Sequence, residues 1–334
     1  MQAMQGSPPA SQEHLTHVLS RAALKNQPTF SAEVIPPRNG ADPQRVLEQV
    51  KALRDTEVDF ISVTKGAGGS LRGGTLPIAQ VIRQSFGVCS LAHFTCRDAT
   101  REDVESSLVD HHYLGIRNIL ALRGDPPDGK PAQDWSPSAA QHKYAFQLVE
   151  QIRHMNEGKY LVREGYDLPT DTEPGGAYSR NGMKTDFCIG VAAYPEEEHG
   201  VEFFQKKIQA GANFAITQMI YDAEAYESFL ERSQAPIPVL PGIRILTSFA
   251  TAERMKNKFG IRVPQKLFDL LAKAKASDQP AEDGRKVGLE FAYGLSEDLL
   301  RRGAPGIHLF IMNDEVTACE LMSLLRTSSS CLSQ

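Results

Sequence analysis

Eight short runs of apolar and β-branched residues alternate along the chain with stretches of helical periodicity, and this alternation limits the possible folds more than anything else in the sequence. The runs cover residues 29–36, 60–64, 89–96 and 118–125 in the first half, and 188–195, 214–222, 237–245 and 306–313 in the second. They are near-continuous in hydrophobicity, as expected for parallel strands covered on both faces. Helices are predicted over 42–55, 76–86, 100–115, 138–157, 200–211, 223–233, 247–276 and 283–303. In the first of them Val46, Leu47, Val50 and Leu53 form one apolar face. Thr100 and Asp103 have the spacing of a capping box, which marks a helix start. Alternating strands and helices of this number predict a single α/β domain, a (β/α)8 TIM barrel. An open doubly wound sheet would begin with a glycine-rich strand-to-helix turn, whereas the first strand here ends in Ile35-Pro36-Pro37. The expected division is a polar tail and extra helix over 1–27, the barrel over 28–327 and a tail over 328–334. Residues 158–186, rich in Gly, Pro and Asp, form an insertion before the fifth strand. A segment entering a strand emerges at the N-terminal face of a barrel, so a contact role is expected for it ahead of a catalytic lid.

Composition narrows the function. A net charge of −5 without a basic stripe argues against nucleic acid as a partner. Five cysteines with no CxxC suit a reducing compartment and offer no metal site. No apolar run approaches the ~20 residues that span a bilayer, and the first residues lack the apolar stretch of a signal peptide. The expectation is a cytoplasmic protein without membrane contact. The loop GAGGSLRGG (66–74) is glycine-rich but matches no phosphate-binding pattern, and HExxH and GxSxG are absent. His111 and His112 read as surface residues of a helix.

Polar residues gather at the C-terminal ends of the strands: Glu33, Thr64, His93 with Thr95, Arg123-Gly124-Asp125, Tyr194, Gln218 and Arg244. In a barrel these ends converge on one mouth, where the chemistry of this fold is done. Singly, each has a plain structural explanation. Glu33 could be an ion-pair partner, His93 a core histidine, Asp125 a turn former and Gln218 an edge partner. Together they form a candidate site, and a carboxylate inside an apolar strand is costly unless it is used.

Taken in order, SAEVIPPR, ISVTKGAGG, LAHFTC, GIRNILALRGDPP, VAAYPE and AGANFAITQMIYD resemble the methylenetetrahydrofolate reductases. The resemblance extends from about Phe30 to Asn313 and looks like the bacterial catalytic barrel without the regulatory domain of eukaryotic relatives. It implies FAD-dependent reduction of 5,10-methylenetetrahydrofolate to 5-methyltetrahydrofolate, with NADH or NADPH as co-substrate in a ping-pong sequence. That activity belongs to one-carbon metabolism and methionine supply, and the family is usually homo-oligomeric. Glu33 matches the general acid that protonates N10 of the folate. Asp125 matches the carboxylate beside flavin and pterin. Gln218 and Phe249 match substrate-binding positions. Thr64, His93, Leu122, Arg123, Gly124, Asp125, Tyr144, Ala145, Tyr194 and Lys207 match contacts to FAD, with Arg123 and Lys207 at its diphosphate.

The chain also departs from the family. SAEVIPP lacks the phenylalanines that usually flank the acid. The segment after Tyr194 is shortened and puts Glu196, Glu197 and Glu198 at a helix entrance, where they would oppose a diphosphate. Asp314 stands where the family has a cation for the glutamate tail of folate. These departures keep three alternatives open: a pterin-binding methyltransferase, a flavin-independent reductase, and a weakly active paralogue serving as a binding partner.

Overall fold

The computed structural model describes residues 13–66, 73–125, 138, 140–163, 172 and 176–331. All eight apolar runs are strands: β1 (Thr29–Val34), β2 (Phe60–Val63), β3 (Cys89–Thr95), β4 (Asn118–Leu122), β7 (Cys188–Ala193), β8 (Phe214–Met219), β9 (Val239–Ile243) and β10 (Gly306–Phe310). They pair in parallel and close in the order β1-β10-β9-β8-β7-β4-β3-β2, so the fold is the predicted (β/α)8 barrel. Closure needs room for large side chains inside. A Cβ on Gly190 would lie 2.4 Å from the Phe214 ring, and one on Gly242 would lie 2.4 Å from the Phe310 ring. Glycine in these strands therefore makes space for phenylalanines from their neighbours.

Helix α1 (Leu15–Leu24) covers the N-terminal end of the barrel. Its Leu15, Val18 and Leu19 are buried with Phe60, Leu91, Leu120 and Phe214 in an inner cluster. One side chain fastens this plug. Asn118 Oδ1 accepts from Leu15 N at 2.8 Å, while its amide nitrogen donates to Ser90 O at 3.2 Å and Glu13 O at 3.1 Å. The larger cluster fills the layer between strands and outer helices.

Around the barrel run α2 (Gln44–Asp55), α3 (Thr75–Ser85), α4 (Arg101–Tyr113), α5 (Ala145–Glu157), α6 (Gly200–Ala210) and α7 (Ala223–Ser233). The capping box of α4 is present. Asp103 N donates to Thr100 Oγ1 at 3.1 Å, and Thr100 N donates to Asp103 Oδ2 at 3.0 Å. α5 starts at Ala145 and not at 138, because Gln147 Oε1 takes the Tyr144 and Lys143 N–H groups and fixes the first turn there.

The helix predicted over 247–276 is two, α8 (Phe249–Phe259) and α9 (Gln265–Lys275). Gly260, at φ +64°, ends the first in a left-handed turn, and Pro264 stands immediately before the second. α10 (Pro280–Arg301) then begins on a proline suited to a first turn. A last helix, α11 (Glu315–Cys331), lies beyond the predicted set. Its N-cap is Asp314, whose carboxylate accepts from Thr317 N at 3.1 Å.

Within the described part of the insertion, β5 (Lys159–Tyr160) and β6 (Arg180–Asn181) form a short antiparallel ladder. It is tied to α4 through buried Glu105, which accepts from Arg180 Nη2 at 2.8 Å and from Leu161 N at 2.8 Å. His111 is not a surface residue. It is buried, with Nδ1 2.6 Å from Ser107 O and its ring edge-on to Phe94. His112 is partly covered as well and lies against Phe187. Helical position alone could not indicate that these side chains turn inward. Among the described residues, no helix is long and apolar enough to cross a membrane.

Candidate active site

A cavity of about 530 Å³ opens at the C-terminal mouth of the barrel. Every polar strand-end residue singled out in the sequence lines it: Glu33, Thr64, His93, Thr95, Arg123, Gly124, Asp125, Tyr194, Gln218 and Arg244. The strands deliver them to one place because each ends at the same face. Gly124 belongs to the design of that face. It has φ +91°, and a Cβ there would lie 2.8 Å from Arg97 Cβ. Arg97 reaches past it to donate to the Asp125 carbonyl oxygen. A larger residue at 124 would displace Asp125 from the wall.

Glu33 is the fifth residue of β1, and its side chain is buried. Burial raises its pKa to about 8, because a carboxylate there would lose its hydration. His93 Nε2 lies 3.4 Å from Glu33 Oε2. Burial lowers the imidazole to about 3, so the neighbouring groups are a neutral acid and a neutral base, not an ion pair. Below them, Ser31 Oγ is 2.8 Å from His308 Nδ1, and His308 is also held uncharged by burial, with His93 as a lesser influence. Gln218 sits at an irregularity in the β8–β9 pairing, and its own Oε1 accepts from Met219 N at 2.9 Å.

Several wall residues escaped the sequence reading. Lys65 follows Thr64, lies 4.3 Å from the Phe94 ring centroid and has its pKa lowered by burial. His308, Phe310, Met255 and Lys258 also line the cavity. Lys65 and His308 could have been found by reading one residue past each strand end and also its interior. Met255 and Lys258 come from α8, whose approach to the mouth is a tertiary matter. Among the described residues, no group of three or more His, Cys, Asp or Glu is placed to hold a metal.

The residues matched to FAD divide into two sets. Thr64, His93, Leu122, Arg123, Gly124, Asp125 and Tyr194 line the cavity. Tyr144, Ala145 and Lys207 are not among its lining residues. Tyr144 stacks on Phe146 at 5.3 Å and meets Phe203 at 5.4 Å, while Ala145 is buried in the first turn of α5. Lys207, matched to the diphosphate, donates Nζ to Ala192 O at 2.7 Å and lies 5.1 Å from the Tyr194 ring. Burial lowers it to about 8. A Cβ on Gly200 would lie 2.0 Å from Tyr194 O, so α6 begins directly against the strand end. Glu196, Glu197 and Glu198 lie in the turn before the helix, whose N-cap is His199. Of the two cations matched to the diphosphate, Arg123 lines the cavity and Lys207 does not. Phe249 is also outside the lining, edge-on to Phe268 at 5.9 Å with Lys275 above its ring.

Comparison with known proteins agrees with the motifs. A family model described as methylenetetrahydrofolate reductase matches residues 18–174 and 176–326. Methylenetetrahydrofolate reductase 1 of Schizosaccharomyces pombe is 29% identical over 303 residues, which are 87% of this chain and 45% of that protein. The 5,10-methylenetetrahydrofolate reductase of Salmonella typhimurium is 28% identical over 304 residues, 88% of this chain and 89% of that one. Among solved structures, an uncharacterized protein from Clostridium thermocellum, described as binding two copies of 5-methyl-5,6,7,8-tetrahydrofolic acid, superposes with a TM-score of 0.54. It covers 94% of this chain and 99% of its own at 15% identity, a likeness of fold. With the family model matched along nearly the whole barrel, the chain belongs to the methylenetetrahydrofolate reductase family.

Proposed function

We propose that this protein reduces 5,10-methylenetetrahydrofolate to 5-methyltetrahydrofolate with electrons from NADH or NADPH, and that the mouth of the barrel is the site. The observation that carries this reading is Glu33, a buried acid whose pKa of about 8 keeps its proton at neutral pH, on the wall of a cavity that also holds Asp125 and Gln218. Reduction of the methylene bridge needs one proton and one hydride. Glu33 gives the proton to N10, the N10–methylene bond breaks, and the carbon remains on N5 as a cationic iminium that accepts the hydride. The negative charge of Asp125 on the cavity wall stabilises that cation. Gln218 offers an amide to the polar edge of the pterin. FAD, if bound here, would supply a two-electron hydride carrier. Thr64, His93, Leu122, Gly124 and Tyr194 would hold its ring, with Arg123 toward its diphosphate.

The reading is tested by anaerobic incubation with NADH or NADPH and methylenetetrahydrofolate, with and without added flavin, and analysis for 5-methyltetrahydrofolate. Absence of that product under every condition overturns it. The pH profile is a sharper check. A raised pKa keeps Glu33 protonated below about 8, so single-turnover folate reduction should be level through neutrality and fall as pH rises through about 8. A rate that is already falling at pH 5 to 6 would remove Glu33 as the donor.

The inward turn of Lys207 bears on the cofactor. A diphosphate anchored by dedicated cations should make FAD bind far more tightly than riboflavin. With Lys207 committed to Ala192 O and the Tyr194 ring, exposed Arg123 is the one matched cation left on the cavity wall, and the advantage of FAD over riboflavin should be less than about tenfold, or ~1.4 kcal/mol. Titration of apoprotein with both flavins, followed by fluorescence quenching, measures it. A preference of a thousandfold would mean that Lys207 swings out to the diphosphate.

A further inference from the structure

The wall of the mouth carries four basic side chains, Lys65, Arg123, Arg244 and Lys258, beside the carboxyl groups of Glu33 and Asp125. They fall on two sides. Lys65 follows β2 and Arg123 follows β4, on the arc with His93 and Asp125. Arg244 follows β9, and Lys258 lies on α8. The barrel order places β9 between β8, which carries Gln218, and β10, which neighbours β1 with Glu33. A ring held between Glu33 and Gln218 therefore has Arg244 at its rim.

Arg244 is half-buried, and desolvation is the largest influence on its guanidinium. Among the described residues, no carboxylate lies within 4 Å of it. Its side-chain hydrogen bond is from Nη1 to the Met255 sulfur at 3.3 Å. A thioether is a weak acceptor, and a guanidinium cannot escape its desolvation by losing a proton. The charged or titratable groups that act on it are Tyr221, Arg254 and Asp314. The Tyr221 hydroxyl already donates to Arg244 O at 2.8 Å, and Asp314 is committed to capping α11. A planar cationic fork thus faces the cavity with most of its donors unused, which is the arrangement that recognises a carboxylate or phosphate in two-point fashion.

We propose that Arg244, with Lys258 beside the same cavity, forms the subsite for the carboxylates of the folate's glutamyl tail. This rests on the folate-reductase reading. A folate seated with its pterin between Glu33 and Gln218 must lead its aminobenzoyl-glutamate out over the rim. The rim on that arc is where these cations stand. The diphosphate of a pyridine nucleotide is the other anion that visits the mouth, and the experiment separates the two.

Equilibrium dissociation constants are measured for the full chain and for Arg244→Met, Arg244→Lys and Lys258→Met. The probes are 5-methyltetrahydrofolate, its triglutamate form, the corresponding 5-methyltetrahydropteroate without glutamate, and NADH. Arg244→Met should weaken 5-methyltetrahydrofolate by about 10- to 100-fold, the usual worth of a charge-assisted pair. It should leave the tail-less pteroate within about twofold, and Arg244→Lys should restore part of the loss. Lys258→Met should weaken the triglutamate more than the monoglutamate. Equal losses for tailed and tail-less ligands, or a loss confined to NADH, would overturn the assignment. If the wild-type chain binds no folate at all, the parent reading fails with it. If it binds tailed and tail-less ligands equally, only this subsite fails.

Discussion

Replacing Glu33 by Gln is expected to reduce single-turnover folate reduction by ~100- to 10,000-fold, the usual contribution of a positioned general acid. Uptake of electrons from NADH or NADPH should survive, because that step takes no proton from this side chain. The amide is nearly isosteric and fits the same buried site 3.4 Å from His93. It has no proton to give at N10, so ring opening would depend on water. The fold should tolerate the change well. The native group is already neutral, held so by burial, and an amide replaces a protonated carboxyl without adding buried charge. Stopped-flow records of the two half-reactions separate the steps. A folate step within fivefold of wild type would take Glu33 out of the mechanism, and parallel collapse of both steps would point to a damaged site.

Asn118→Ala should have the largest effect on stability, through the opposite end of the barrel. That side chain satisfies Leu15 N, Ser90 O and Glu13 O, and it is itself buried. Removing it leaves Leu15 N and Ser90 O without their partner in a place water does not easily reach, at ~1–3 kcal/mol for each orphaned group. A net loss of about 3 kcal/mol is expected, with α1 released early and Leu15, Val18 and Leu19 exposed. Hydrogen exchange over 15–24 and denaturant unfolding together test this. A loss below about 1 kcal/mol, with α1 still protected, would show that apolar contact alone holds the plug. The mouth lies at the far end, so folate affinity at low temperature should hardly change.

The two ends of the barrel were not equally legible. Strand existence and the site's location followed from local pattern. Continuous apolar runs must be buried on both faces, and strands of a parallel barrel all end at one mouth. Thr100 and Asp103 were readable for a similar reason, since a capping box is closed within four residues. The N-terminal plug was expected only as a helix. Its fastening by Asn118 joins residues more than 100 positions apart, and nothing local marks an asparagine at a strand start as an anchor.

The helices failed where one signal masked another. Amphipathic periodicity carried through 247–276, although Gly260 and Pro264 divide it into α8 and α9. The Ser-rich end of α11 weakens its apolar period, and Asp314, at a position where the family resemblance implies a cation, is the cap of that helix. The same carboxylate has a local task that its neighbours in sequence make clear only once the helix is known.

The sequence by itself determined the family, the barrel and the set of polar groups at its mouth, because motif order, hydrophobic period and strand direction are properties of the chain read along its length. Only the tertiary structure decided where those groups point. Lys207 turns in from the last turn of α6 to Ala192 O and the Tyr194 ring. The Glu33 pKa is raised because its side chain is buried at the wall of the mouth. Arg244 lines the cavity with its Nη1 on the Met255 sulfur, while Asp314 caps α11. Direction, desolvation and partnership each depend on atoms brought in from distant parts of the chain, and no local pattern encodes them.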